Sequence, residues 1–372
     1  MKILFVGSVV PDGYDLLIED ISAAGNRYQI NFCAELLRQG HEVTILSYIG
    51  VNVPVEVDLI DGSTDFCSAI KYVCKVNDTW KSVKRWHQLI KDEIANYDVV
   101  IAYNVIYAWL NLPGIARKYN RQSVLILADY TEPAGSTGLK NKLYASFQMN
   151  TVRQFDTVIT LSKRSEKILK SNQKIYCMEG GISEEVYSYF GEMNEVHSPI
   201  RLNYSGLLHP VMGVDLLLEA FKKVTRSDVR LYISGKGPLK DKVIQASGED
   251  SRIIYTGFLS YDEYLQQLKK ADILINPRNM ELKENDNNFP SKIMEYLATG
   301  KLIVSTKFYG YERFPKEIVF SDSTVVQLKE NIELGVNHVS ENIRNRYETE
   351  RAFAEDFLWE KQIQRLIMFL KQ

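Results

Sequence analysis

Residues 271–306, ADILINPRNMELKENDNNFPSKIMEYLATGKLIVST, decide how the chain is read. An apolar run at 273–276 leads through a polar loop to a helical pattern over about 290–298, a glycine at Gly300 and a second apolar run at 302–305. Pro290 suits the first helical turn, where its missing N–H is not needed, and Gly300 suits a C-terminal cap. A strand feeding a helix through such a loop aims the helix's free N–H groups past the sheet edge, which makes an anion site. Lys292 and Arg278 add positive charge there, and Glu295, one turn further in, is a carboxylate able to accept from a diol. The same letters also fit an ordinary βαβ unit whose charges are solvated.

Outward from this stretch the pattern repeats. Residues 2–6 form an apolar run broken by Gly7, followed by a helical stretch over about 24–39 ended by Gly40, and a strand at 41–48. Residues 98–103 and 123–128 are near-continuous apolar runs, the mark of strands covered on both faces. Strand patterns at 200–205, 229–234 and 253–256 restart the series, so the reading is two doubly wound α/β domains. A length of 372 residues agrees with two cores rather than one. Gly7 stands alone before Ser8, so the G-x-G-x-x-G fingerprint of dinucleotide oxidoreductases is absent and a nicotinamide enzyme is not expected. Residues 183–198 have weak periodicity and read as a linker.

Composition excludes several classes. Hydrophobic residues make up 45% and charged residues 25%, values of an ordinary globular chain. A net charge of -2 lacks the basic excess of a nucleic-acid binder. Cys33, Cys67, Cys74 and Cys177 have neither CxxC spacing nor a histidine cluster beside them, so free thiols in a reducing compartment are expected. No apolar run reaches the roughly 20 residues that span a bilayer. The expected location is cytoplasmic. On the helical stretch from Thr79, Trp80, Trp86, Leu89 and Ile90 interleave with Lys81, Lys84, Arg85 and Lys91. That mixture suits either one buried and one solvated face or peripheral contact with an anionic membrane.

The words Asn276-Pro277-Arg278, Phe289-Pro290-Ser291-Lys292, Glu295-Tyr296 and Gly300-Lys301 resemble the donor-binding segment of GT-B glycosyltransferases. More narrowly they are similar to a bacterial subset of family 4 that spells the helix FPSKxxEYxxxG. The resemblance implies a GT-B fold: two Rossmann-like domains facing across a cleft, spanning 1–190 and 199–350, with a terminal helix at 353–372 crossing back onto the first. It implies hexosyl transfer from a nucleotide-sugar, a UDP-sugar above others, to a saccharide or lipid-linked acceptor, with retention and without metal or cofactor. Polysaccharide or glycoconjugate biosynthesis is the implied setting.

Residue by residue, the resemblance gives Glu295 the ribose hydroxyls and the helix start, from Asn288 and Phe289 through Pro290, Ser291 and Lys292, the diphosphate. Asn287 stands where the commoner pattern has a second glutamate touching the donor sugar. The loop from Tyr204 to Gly213 carries Leu207 after Gly206 and Met212 before Gly213, where the family has an arginine and a lysine. Arg278, Lys292 and Lys236 are expected to supply that charge instead. Phe258 and Leu259 are expected beside the nucleobase, and Gly25 against the donor phosphate. Asn26 and Arg27 border the acceptor. Asp129, at the end of an apolar strand, or alternatively Glu132, is placed to accept the proton of the attacking hydroxyl or counter oxocarbenium charge. Leu207 and Met212 also keep a second reading in play, a weakly catalytic or non-catalytic GT-B subunit serving a partner transferase.

Overall fold

Every residue after Lys2 in the run KILFVG is buried, which places it inside a sheet covered on both faces. This is β1, Lys2–Gly7. A computed structural model describes residues 1–11, 13–14, 18, 21–50, 62–64, 67–74, 79–128, 138–170, 172–193, 195–282, 285 and 290–372. The chain divides into two units, Met1–Glu179 with Trp359–Gln372, and Gly180–Leu358.

In the first unit β1 is followed by α1 (Ala23–Arg38), β2 (Glu42–Ile49), β3 (Gly62–Thr64), β4 (Cys67–Cys74), α2 (Thr79–Glu93), β5 (Val99–Tyr103), α3 (Leu112–Lys118), β6 (Gln122–Leu127), α4 (Leu139–Val152), β7 (Thr157–Thr160) and β8 (Lys174–Cys177). The strands lie in the order β3-β4-β2-β1-β5-β6-β7-β8, parallel except for β3 against β4. The order runs outward in both directions from β1, so the loops after β1 and β5 part company at a topological switch point.

The second unit opens with α5 (Glu184–Tyr189), capped by Ser183, which accepts from the Val186 N–H at 3.3 Å. Val186 and Phe190 join the second unit's core. The stretch read as a linker is therefore mostly structure of the second unit, and its boundary with the first falls at Gly180. Its weak periodicity reflects a helix of only six residues, too short to display a face. Then come β9 (Ile200–Ser205), α6 (Val214–Phe221), β10 (Val229–Ser234), α7 (Lys240–Glu249), β11 (Ile253–Tyr255), α8 (Tyr261–Lys270), β12 (Ile273–Asn276), α9 (Lys292–Thr299), β13 (Leu302–Thr306), β14 (Val319–Ser321), α10 (Val325–His338) and α11 (Ile343–Glu355). All six strands are parallel, in the order β11-β10-β9-β12-β13-β14. Here the order reverses between β9 and β12.

Helix α9 is held from behind. Gly300 caps it with a φ of 62°, and a Cβ there would lie 2.5 Å from the Tyr347 ring of α11. Arg351 of α11 donates to the carbonyls of Ala298 at 2.5 Å and Tyr187 at 3.0 Å. On the same helix Glu350 is fully buried, with no hydrogen-bond partner at either carboxyl oxygen.

The expected terminal helix at 353–372 is instead split. Phe353 and Phe357 pack at a tilt in the second unit, with the Phe353 ring centroid 5.2 Å from that of Phe314, because aromatic packing there claims them. Only α12 (Trp359–Leu370) belongs to the first unit. Its Trp359 meets Tyr28 edge-on at 5.0 Å, and Ile363, Leu366, Ile367 and Leu370 complete the core that α1 begins.

Candidate active site

The second unit gathers charge where its strand order reverses. Helix α9 buries Ile293, Met294, Tyr296 and Leu297 and leaves Lys292 and Glu295 half-buried on its other side, as their spacing of three demands. The Lys292 ammonium donates to the Ser205 carbonyl at the end of β9, at 2.5 Å, and sits 4.6 Å from the centroid of the Tyr204 ring. A Cβ at Gly206 would lie 2.2 Å from that ammonium and push it aside, and the φ of 153° there favours glycine. Loss of hydration first, and Arg278 second, push the Lys292 pKa down to about 7, with Glu295 opposing.

Glu295 is held by two tyrosines. The Tyr264 hydroxyl donates to Oε2 at 2.6 Å and the Tyr261 hydroxyl to Oε1 at 3.2 Å. Burial and the neighbouring Glu295 carboxylate raise the Tyr264 pKa well above its ordinary value, so it stays a donor. Each carboxylate oxygen has about two acceptor sites and gives one to a tyrosine, which leaves a pair free for a diol. Neither tyrosine was singled out in the sequence. A signal was present: Ser260 and Glu263 form a capping box that starts α8 and sets residues 261 and 264 one turn apart on one face.

Arg278 leaves the end of β12 beside the loop that leaves β9. Its Nη2 lies 3.5 Å from the Met212 sulfur, and its Nη1 donates to Asn285 Oδ1 at 3.2 Å. Asn285 in turn donates to the carbonyls of Val211 and Asn279, both at 2.7 Å, and so stitches the two loops together. Their approach depends on Gly213, where φ is 73° and a Cβ would fall 1.8 Å from the Pro277 carbonyl oxygen. Leu207 is 47% exposed. Lys236 stands 4.8 Å from the Phe258 ring centroid, in loops joined to the first by Leu208 N–H to the Lys236 carbonyl at 2.8 Å. Leu259 is half-buried and Ser291 exposed. Behind them, half-buried Gln267 joins buried Asn203, Ser205 and Ser234 in a polar network, with Ser234 to Ser205 at 2.7 Å. Gly206, Arg278, Pro290, Ser291, Lys292 and Glu295 thus lie at one end of one sheet, with Lys236, Phe258 and Leu259 in the adjoining loops. Asn287, Asn288 and Phe289 lie outside the described residues.

In the first unit Ser22 caps α1 by accepting from the Gly25 N–H at 3.2 Å. Asn26 differs from the sequence reading. It is 2% exposed, and its amide both accepts from Val10 N–H at 3.0 Å and donates to the Val10 carbonyl at 3.1 Å. Through its oxygen and one N–H it shapes the loop after β1. Gln29, which the sequence did not flag, supports the same loop by accepting from Ser8 N–H at 3.0 Å. Arg27 is half-buried beside them. Asp129 and Glu132 lie outside the described residues.

Residues 199–333 match the family model described as Glycosyl transferases group 1. Over the whole chain the fold superimposes on Anabaena Alr3699/HepE in complex with UDP, with a TM-score of 0.74, 16% identity and 100% of each chain covered. The fold is that of the GT-B glycosyltransferases. The same GT-B arrangement is found in Alr3699/HepE in complex with UDP-glucose (TM-score 0.70, 17% identity, 100% of this chain and 99% of that one). It recurs in sucrose-phosphate synthase from Thermosynechococcus elongatus (0.71, 14%, 100% and 99%). Among curated sequences, a lipopolysaccharide 1,2-N-acetylglucosaminetransferase of Salmonella typhimurium is 28% identical over 135 residues, 33% of this chain and 34% of that protein. The GT-B chain described here therefore matches about a third of the length of that relative.

Proposed function

We propose that the protein is a glycosyltransferase that moves a sugar from a nucleotide-sugar, a UDP-sugar, to a saccharide or lipid-linked acceptor in polysaccharide or glycoconjugate biosynthesis. The observation that carries this reading is the convergence of Arg278, Lys292 and Glu295 at the strand-order reversal, inside the segment matched by the family model. In this mechanism the diphosphate lies between the two cations and the N–H groups at the start of α9, and Glu295 takes the ribose hydroxyls. As the bond to the anomeric carbon breaks, charge develops on the departing diphosphate. Fixed donors already aimed there stabilise it without reorganising, which is the largest kind of catalytic contribution a site can make. We infer that protein cations fill this role without a metal ion and that the sugar keeps its anomeric configuration. Asp129 or Glu132 would receive the proton of the attacking hydroxyl, with Arg27 bordering the acceptor.

The test is release of UDP from a panel of UDP-sugars by the purified protein, alone and with acceptor. Turnover that Lys292→Ala lowers and Glu295→Ala weakens through donor binding supports the proposal; unchanged kinetics in both variants would remove the site. Leu207 and Met212, which replace the family's usual cations, favour a second reading as a GT-B subunit assisting a partner transferase. A protein that binds UDP-sugar and turns over only when that partner is added would establish it.

A further inference from the structure

The second unit holds a cavity of about 460 Å³, open to solvent, at the end of its sheet away from the candidate active site. Asp272, just before β12, and Lys301, just before β13, both line it. Thr299 and Gly300 line it too, so the cavity meets α9 at the end opposite Lys292, about 12 Å along the helix.

Its charge is uneven. Lys269, Lys301 and Arg346 all face it. Arg346 is 6% exposed, and its terminal nitrogens donate to the Val339 carbonyl at 2.9 Å and the Glu341 carbonyl at 3.2 Å. Its Nε has no hydrogen-bond partner. The half-buried Lys301 ammonium donates to the Ala271 carbonyl, which leaves two of its three N–H groups. Burial pushes the Lys301 pKa down to about 8, with Asp272 opposing and Arg346 and Lys269 adding to the effect. Neither Lys301 nor Arg346 forms an ion pair among the described residues.

The neighbouring carboxyl groups do not cancel this charge. Asp272 accepts from the N–H groups of Arg201 at 2.7 Å and His197 at 3.2 Å and pairs with the His197 ring at 2.8 Å, so it is spent on the start of β9. Burial raises the Glu350 pKa well above the ordinary carboxyl value, so that group stays neutral. Glu317 attracts Arg346 without an ion pair, and Glu192 of the lining is exposed. Burying a cation is costly unless an anion pairs with it, and here the cavity is where an anion can enter. Phe190, Val196 and Ile343 give the same cavity an apolar side.

We propose that this cavity is a second ligand site, which takes a phosphate group, free or as the monoester of a small molecule. Lys301 and Lys269 donate to the phosphate, Arg346 adds charge behind it, and an apolar body attached to it lies against Phe190, Val196 and Ile343. The inference does not rest on the proposed transfer reaction, since binding is read without turnover.

Titration calorimetry of the full chain with inorganic phosphate and with phenyl phosphate tests it. Both are expected to bind; tighter binding of phenyl phosphate assigns the site to a monoester, and equal binding assigns it to the free ion. Lys301→Met is expected to weaken both by at least about tenfold, the loss of a hydrogen bond between charged groups. Met193→Glu sets a negative charge on an exposed residue of the lining and is expected to weaken both by about threefold with an unchanged thermal melt. Lys292→Ala, at the other end of α9, is expected to leave this binding in place. A parent that binds neither compound overturns the proposal. So does binding that Lys292→Ala abolishes, or that Lys301→Met and Met193→Glu both leave unchanged.

Discussion

The Arg278 guanidinium rests against the sulfur of Met212, with Nη2 and Sδ 3.5 Å apart. These residues come from loops that leave adjacent strands, β12 and β9, and Gly213 allows the loops to touch at Pro277. A positive charge carried at 278 therefore stands next to the place where a lysine at 212 would hold one. The arrangement explains how the loop after β9 can be apolar at a site that is proposed to receive a diphosphate.

The first prediction follows from that exchange. Arg278→Ala is expected to lower turnover by about 10–100-fold, the worth of a hydrogen bond to a charged group. Met212→Lys in the unaltered protein crowds two cations and is expected to reduce activity. Combined with Arg278→Ala, the same lysine should restore part of the loss. A double-mutant cycle in kcat/KM measures the coupling, and strict additivity would show that the two positions are independent.

The tyrosine pair on Glu295 should act on donor binding. Tyr264→Phe removes one donor from the carboxylate and is expected to raise KM for the nucleotide-sugar by about 2–10-fold with kcat little changed. Glu295→Ala should raise it further, by about 10–100-fold. Steady-state kinetics over a donor series check both, and a fall in kcat alone for Tyr264→Phe would assign it a different part.

Lys292 gives UDP affinity a dependence on pH. Its pKa of about 7 in the free protein rises when a diphosphate arrives, because the anion favours the charged form. Binding therefore takes up a proton above pH 7. Affinity is expected to fall by up to about tenfold per pH unit as pH rises from 7 towards 9, since one pKa unit is worth about 1.4 kcal/mol. Titration calorimetry in buffers of different ionisation enthalpy reads the proton directly, and in Lys292→Met the uptake should vanish.

Glu350 governs stability rather than chemistry. Burial raises its pKa well above the ordinary carboxyl value, with Arg346 opposing. The folded state thus holds a proton that the unfolded chain releases, and stability falls as pH rises above the unfolded value. Glu350→Gln is expected to stabilise the protein at pH 8 by roughly 1–3 kcal/mol and to change little at pH 4. Thermal melts at the two pH values make the comparison.

The strands that carry the site were legible because they are buried on both faces, so each appears in sequence as an unbroken apolar run closed by a glycine or a polar residue. Helix α9 was legible from Pro290 and Gly300, which act within one turn of chain. The clamp on Glu295 was not, because the tyrosines lie over 30 residues upstream and only folding brings α8 against α9. The hold of Asn26 on Val10 was hidden for a related reason. A polar side chain near a helix start reads as available until the backbone that uses it is known. At 353–358 one apolar pattern runs through residues that two cores share out, and periodicity alone does not tell which core claims a phenylalanine.

Helix α12 sits some 180 residues beyond the rest of the unit it completes. During synthesis the groove formed by Tyr28 and Phe32 must wait, open, while the entire second unit emerges from the ribosome. Helix α12 therefore works as a latch: until Trp359 arrives, the part of its unit translated before it exposes an apolar seam that chaperones can recognise.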